Sequence, residues 1–161
     1  AILMNVAKAV RVAEDRGWRV IVTTHKTMDR EIEPYLDNAG VDYETADLTD
    51  ATPEDIIVFY SQIDLAFGMR GHSQMIPFGL RRPIMSIISH DKMRFLLDDI
   101  GRPSWGVEVD AADIVSRFES ALLSIESDRE SVHADIATVQ QQVWEETESN
   151  FPTIARVLFS L

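Results

Sequence analysis

Arg70-Gly71-His72-Ser73 sets a guanidinium, an imidazole and a hydroxyl within four residues, two residues after the short apolar run Leu65-Ala66-Phe67. Arg presents a planar fork of donors matched to phosphate or carboxylate. His gives or takes a proton near neutral pH. Gly68 and Gly71 allow a tight turn and close backbone approach to a ligand. A helix opening at this point adds unsatisfied N–H groups and a partial positive charge. The combination describes an anion-binding corner with an acid beside it. The plainer alternative is a solvated turn whose Arg pairs with one of the many carboxylates of the chain.

The same logic recurs twice. Ser89-His90-Asp91-Lys92 follows the apolar run Pro83 to Ile88, and Thr23-Thr24-His25-Lys26 follows Val20-Ile21-Val22. Lys92 can serve an anion as a point charge, while Asp91 fits a helix cap. His90 and His25 are candidates for the same crevice, each with a structural alternative; for His25 that is a polar loop with Thr27 capping the next helix. In a parallel sheet the carboxyl ends of neighbouring strands lie side by side, and ligands bind there. The candidate ligand contacts are therefore Arg70, His72, Gly68, Gly71, Ser73, Lys92, His90 and His25.

The elements that would hold these turns alternate. Asn5 to Arg16 has helical periodicity and stops at Gly17. Trp18 to Thr24 holds a β-branched run of the kind found in strands buried on both faces. A helix from Thr27 to about Asn38 ends at Gly40, and Val41 to Ala46 is a short strand. Thr52-Pro53-Glu54-Asp55 is a helix start, with a hydroxyl cap, a proline and then acids. Strands at Leu65 to Phe67, Pro83 to Ile88 and Val107 to Val109 are separated by helices over Gly71 to Leu80, with Pro77 inside, and Asp91 to Ile100, closed by Gly101. Asp110 would cap a helical stretch from Ala111 on; Ser131 to Glu148 is helical, and a last short helix covers Asn150 to Leu161. This alternation gives an α/β fold with a parallel sheet over residues 1–110 and a helical tail over 111–161, packed on it or on a further domain. The chain opens on a helix where a complete doubly wound domain opens on a strand. We therefore expect a strand, and a domain, ahead of Ala1.

Composition narrows the function classes. The 161 residues carry a formal net charge of −12, which argues against a general nucleic-acid surface but permits a local anion site. There is no cysteine, so disulfides and thiolate metal sites are excluded. The spacing of the four His residues resembles no zinc ligand set, and no metal is expected. No apolar run approaches the roughly 20 residues that span a bilayer. There is neither a Gly-rich dinucleotide fingerprint nor a Walker loop, and no cofactor is expected. Ser73 lacks the elbow pattern of hydrolases.

Asp64-Leu65-Ala66-Phe67-Gly68-Met69-Arg70-Gly71-His72, the downstream Pro77-Phe78-Gly79-Leu80-Arg81-Arg82-Pro83, and Ser89-His90-Asp91-Lys92 together resemble the C-terminal half of polysaccharide pyruvyl transferases. The likeness runs from Trp18 to about Val109. It implies a Rossmann-like parallel sheet flanked by helices, as in the C-terminal domain of a GT-B-like enzyme, with an added helical tail. It implies transfer of a pyruvyl group from phosphoenolpyruvate to a sugar hydroxyl, in polysaccharide biosynthesis in the cytoplasm. Arg70 and His72 would be the catalytic pair, with Arg70 on phosphate or carboxylate, His72 the general acid and Lys92 a supporting contact. The partners implied are phosphoenolpyruvate, a sugar or glycan acceptor and an N-terminal domain; a homo-oligomer is open. Gly71 stands where the family commonly has Leu, and His90 where many members have Tyr. A GT-B-like glycosyltransferase or sugar epimerase that binds a nucleotide sugar is the nearest alternative. A catalytically silent α/β binding module is the other.

Overall fold

The computed structural model describes residues 2–159. Helix α1, Ile2–Asp15, buries a stripe of Val6, Ala7, Ala9 and Ala13. Gly17, at φ +85°, turns the chain into strand β1, Val20–Thr24. A 3-10 turn over Thr27–Ile32 leads into α2, Glu33–Ala39, which Gly40 closes in the left-handed conformation. The continuous helix expected over this stretch is thus split. Asp29 rather than Thr27 ties its start, because the Asp29 carboxylate accepts from the backbone N–H groups of His25 and Lys26.

Strand β2, Tyr43–Asp47, pairs in parallel with β1. Helix α3, Pro53–Ser61, starts as expected: Thr52 Oγ1 accepts from the Asp55 N–H, and the Asp55 side chain reaches back to Thr52. Strand β3, Ala66–Gly68, and α4, His72–Gly79, follow. Strand β4, Ile84–Ile88, then α5, Asp91–Asp99, and β5, Gly106–Glu108, complete the strands. Asp91 pairs with Arg94 on its own helix and makes no cap bond.

Helix α6 spans Ile114–Ser127, beginning beyond the expected Asp110 cap. Helix α7 runs without a break from Arg129 to Phe159. The separate helix after Pro152 is therefore not formed, and residues 160 and 161 of that stretch lie outside the described residues. Every residue from Trp144 to Val157 is exposed, so the carbonyl that loses its partner at Pro152 is on a solvent-facing segment, where water can stand in for the missing bond.

Among the described residues all strand pairs are parallel, but they form two sheets rather than one: β1 with β2, and β3, β4 and β5 with β4 central. Helix α1 bridges them. Its Val6, Ala9 and Ala13 pack with Met85 and Ile87 of β4, Val107 of β5, and Phe118 and Leu122 of α6. Its Ala7 packs with Leu36 of α2 and with Val41. Val10 touches both clusters. Glu126 of α6 accepts from Arg16 and from the Trp18 indole N–H, and these bonds pull its pKa down to about 2. A third cluster holds α5 and α7 on the other side of β4, through Ile88, Met93, Leu97 and Val139. No helix among the described residues is long and apolar enough to cross a membrane.

Candidate functional site

A cleft of about 1350 Å³ runs between β1 and β3. Its carboxyl-end rim gathers the turns that leave β1, β3 and β4. His25, Gly68, Arg70, Gly71, His72, Ser73 and His90 all line it. The turns after β3 and β4 meet because those strands are parallel neighbours, and the Asp29–Arg70 pair brings the turn after β1 to the same rim. Lys92 is exposed on α5 and is not among the cleft-lining residues.

Arg70 is half-buried and faces the Asp29 carboxylate, with Nε donating to Oδ1 at 2.6 Å and Nη2 to the same oxygen. The plainer alternative, that this Arg pairs with a carboxylate, thus holds, and it holds within the cleft. The other Asp29 oxygen accepts from the His25 and Lys26 N–H groups, each at 2.9 Å. Burial pushes the Asp29 pKa up, but the Arg70 bond and the two backbone bonds outweigh it, and the carboxyl sits below its usual value. One carboxylate therefore clamps the turn after β1 to the turn after β3. Among the described residues Arg70 Nη1 has no hydrogen-bond partner, so one donor of the fork remains for a ligand.

His25 Nε2 lies 2.7 Å from the Tyr60 hydroxyl, and the two rings stack at 4° between planes. Burial lowers the His25 pKa; Asp29 opposes that shift, while Arg70 and His72 add to it. The surroundings of His25 thus disfavour its charged form, and it lies close enough to Arg70 to feel the guanidinium charge. Tyr60 is 3% exposed, and burial raises its phenol pKa.

The turn after β3 is fixed from below. Ser73 Oγ donates to the Arg70 carbonyl at 2.8 Å, which tightens the first turn of α4. Fully buried Gln74 accepts from the Ser86 hydroxyl of β4 and donates to the Ser73 carbonyl. A Cβ on Gly68 would come into contact with Gln74 Nε2 and Ser73 Oγ, both at 3.4 Å, so the start of α4 lies close against the end of β3. His72 is exposed at the first position of α4, whose amino end carries no side-chain cap. Arg81 and Arg82 lie at the opposite end of β4, bonded to Gln140 and to the Ser61 carbonyl.

Asp29 and Tyr60 were not candidates from sequence. Asp29 read as an acid in the first turn of a helix, and Tyr60 as one more apolar position on α3. The distances from Asp29 to Arg70, forty-one residues on, and from His25 to Tyr60, thirty-five on, leave no local pattern. Among the described residues no group of His, Asp and Glu is arranged to hold a metal ion. The arrangement can bind a small anion through Arg70, the α4 amino end and Lys26, and can present a protonatable imidazole, His72, at the rim. Comparison of the chain with protein-family models, curated proteins and solved structures finds no match.

Proposed function

We propose that this cleft binds a compact, multiply charged anion and that the protein is the C-terminal catalytic half of a pyruvyl-transferase-like enzyme. The observation that carries the reading is the convergence of Arg70, His72 and His25 on one rim at the carboxyl ends of parallel strands. Phosphoenolpyruvate suits that rim. Its phosphate and carboxylate match the guanidinium fork and the helix N-terminus. His72 would deliver a proton to the methylene carbon, leaving a cationic centre at the neighbouring carbon. An acceptor hydroxyl adds there, and a second displaces phosphate to close the ketal. One hydroxyl proton restores His72 and the other leaves with phosphate. Asp29 is a positioning residue in this scheme, since it aims Arg70 and touches no substrate. The acceptor sugar would be held partly by a second, GT-B-like lobe.

Thermal-shift titration tests the reading. Phosphoenolpyruvate should raise the melting temperature, and Arg70→Ala should weaken its binding by an amount on the order of 2–4 kcal/mol, the worth of a donor aimed at ligand charge. Stabilisation by UDP or UDP-sugars alone would transfer the site to a nucleotide-sugar enzyme. If neither Arg70→Ala nor His72→Ala alters ligand binding or the activity of the full-length protein, the silent binding module stands instead.

A further inference from the structure

The cleft continues well below its polar rim, and its walls are those of a strand position. One side is the edge of β1, from Val20 to Thr23, which hydrogen-bonds only to β2 on its other edge. The facing side is the edge of β3, from Leu65 to Gly68, which pairs only with β4. Helix α1 contributes Leu3, Val6 and Val10 to the lining. Helix α3 and the residues after it contribute Ile56, Phe59 and Ile63. Polar groups gather at the two ends: the Arg70–Asp29 pair at one, and Arg16, Glu126, Asp64 and Arg129 at the other. A segment between two open strand edges, lined by apolar residues of two helices, has the surroundings of a central strand in a doubly wound sheet.

We infer that this groove is an acceptor for one parallel β-strand, and that its occupant is an extended aliphatic segment running directly into the amino end of α1. The order of the sheet would then be β2-β1-insert-β3-β4-β5, a single sheet whose order reverses beside the insert. Three arguments select this occupant. Leu3, Val6 and Val10 of α1 and Ile56 and Phe59 of α3 are apolar, so the segment must be mainly aliphatic rather than strictly alternating, as β4 itself is. Both edges belong to parallel strands, so the insert is parallel too, and parallel neighbours are joined through a crossover helix. Helix α1 is that helix: the Gly17 turn joins its carboxyl end to the start of β1, so its amino end points toward the carboxyl ends of the strands, where the insert would finish. Being tethered, the insert meets the groove at high effective concentration. It would also end on the rim, between the His25 and Arg70 turns, at the switch point where such sheets bind ligands. The inference does not depend on the identity of that ligand.

The test extends the 161-residue chain at its amino end with a copy of its own fully buried strand, Ile84–Ile88, joined through a linker of about four residues. Hydrogen exchange is followed at the amides of β1 and β3. The tethered copy should slow exchange at both edges by at least about tenfold and raise the melting temperature. A matched extension with proline in place of the copied Ser86 should do neither, because proline removes a ladder donor. Equal exchange in the two extended chains would overturn the inference. So would protection given by the free pentapeptide but not by the tether, or protection that tracks dimerisation and so assigns the groove to a second copy. An experimental structure of the 161-residue chain in which β1 and β3 pair directly would overturn it as well.

Discussion

Val20–Thr24 and Ile84–Ile88 are written in similar letters, aliphatic and β-branched with hydroxyls among them, yet they live in different surroundings. Strand β4 has a strand on each edge and helices over both faces, and every one of its residues is buried. Strand β1 has one neighbour, and only Thr24 is buried. A continuous apolar run says what a strand needs, which is cover on all sides. It does not say whether the rest of the chain supplies that cover. In β4 the need is met by β3, β5, α1 and α5. In β1 it is met on one edge only, and the unmet edge is the wall of the cleft.

Truncating the two strands at matched positions separates them most. Ile87 is 1% exposed in the main core, and Ile87→Ala should cost about 2–5 kcal/mol in chemical denaturation, through lost transfer energy and the cavity left behind. Ile21 is half-buried against the cleft, and Ile21→Ala should cost about 1 kcal/mol, since roughly half of its transfer energy is already forgone. Equal losses would break the comparison. In a chain carrying the tethered strand the Ile21 penalty should rise toward that of Ile87.

Gly106 sharpens the contrast from the β4 side. A Cβ there would fall 2.8 Å from Ile88 Cδ1 and closer still to Leu97 Cδ1, both buried, so β5 comes this near to β4 and α5 only because the residue is glycine. Gly106→Ala should destabilise by about 1–3 kcal/mol, the usual cost of overpacking a filled core. No such crowding exists along the open edge of β1.

These contacts mark what could be read from sequence alone. Local grammar was legible. Thr52, Pro53 and Asp55 set the start of α3, Gly40 and Gly101 stop their helices at positive φ, and the strand–turn–helix at Arg70 forms where the letters place it. Pairing across the fold was not legible. Nothing near Gly106 announces Leu97 or Ile88, and nothing near Asp29 announces Arg70. The division of the sheet was hidden for the same reason, since strand periodicity records burial sought and not neighbours found. Pro152 misled in the other direction. A local rule for stopping helices was read as decisive on an exposed segment where water can stand in for the missing bond.

The two ends of the cleft should titrate differently. His25 has its folded pKa below the ordinary 6.5 because burial disfavours its charged form. The unfolded chain then binds the extra proton first, so the contribution of His25 is complete above about 6.5 and is lost as pH falls through its lower folded value. Glu126, at the other end, is held at about 2 by Arg16 and Trp18. Its contribution is complete above the ordinary 4.5 and survives until pH falls toward that value. Denaturation followed across pH should therefore lose stability in two steps, and His25→Gln should remove the upper one alone. An unchanged upper step in that variant would dissociate it from the cleft rim.

The smallest effect separates the two strands at a single oxygen. Ser86 in β4 and Thr24 in β1 are both buried hydroxyl residues. The Ser86 hydroxyl donates to Gln74 Oε1 at 3.1 Å, whereas Thr24 Oγ1 is buried with no partner among the described residues. A partnered hydroxyl cannot be removed cleanly. Ser86→Ala leaves the carbonyl of a fully buried glutamine without its donor and should cost about 1–3 kcal/mol, the desolvation penalty of an orphaned group. An orphaned hydroxyl has already incurred that penalty. Thr24→Val keeps the shape, removes the oxygen and should change stability by under about 1 kcal/mol, in the stabilising direction. If Thr24→Val instead costs as much as Ser86→Ala, the Thr24 hydroxyl has a partner in solution, and the end of β1 is better enclosed than its open edge implies.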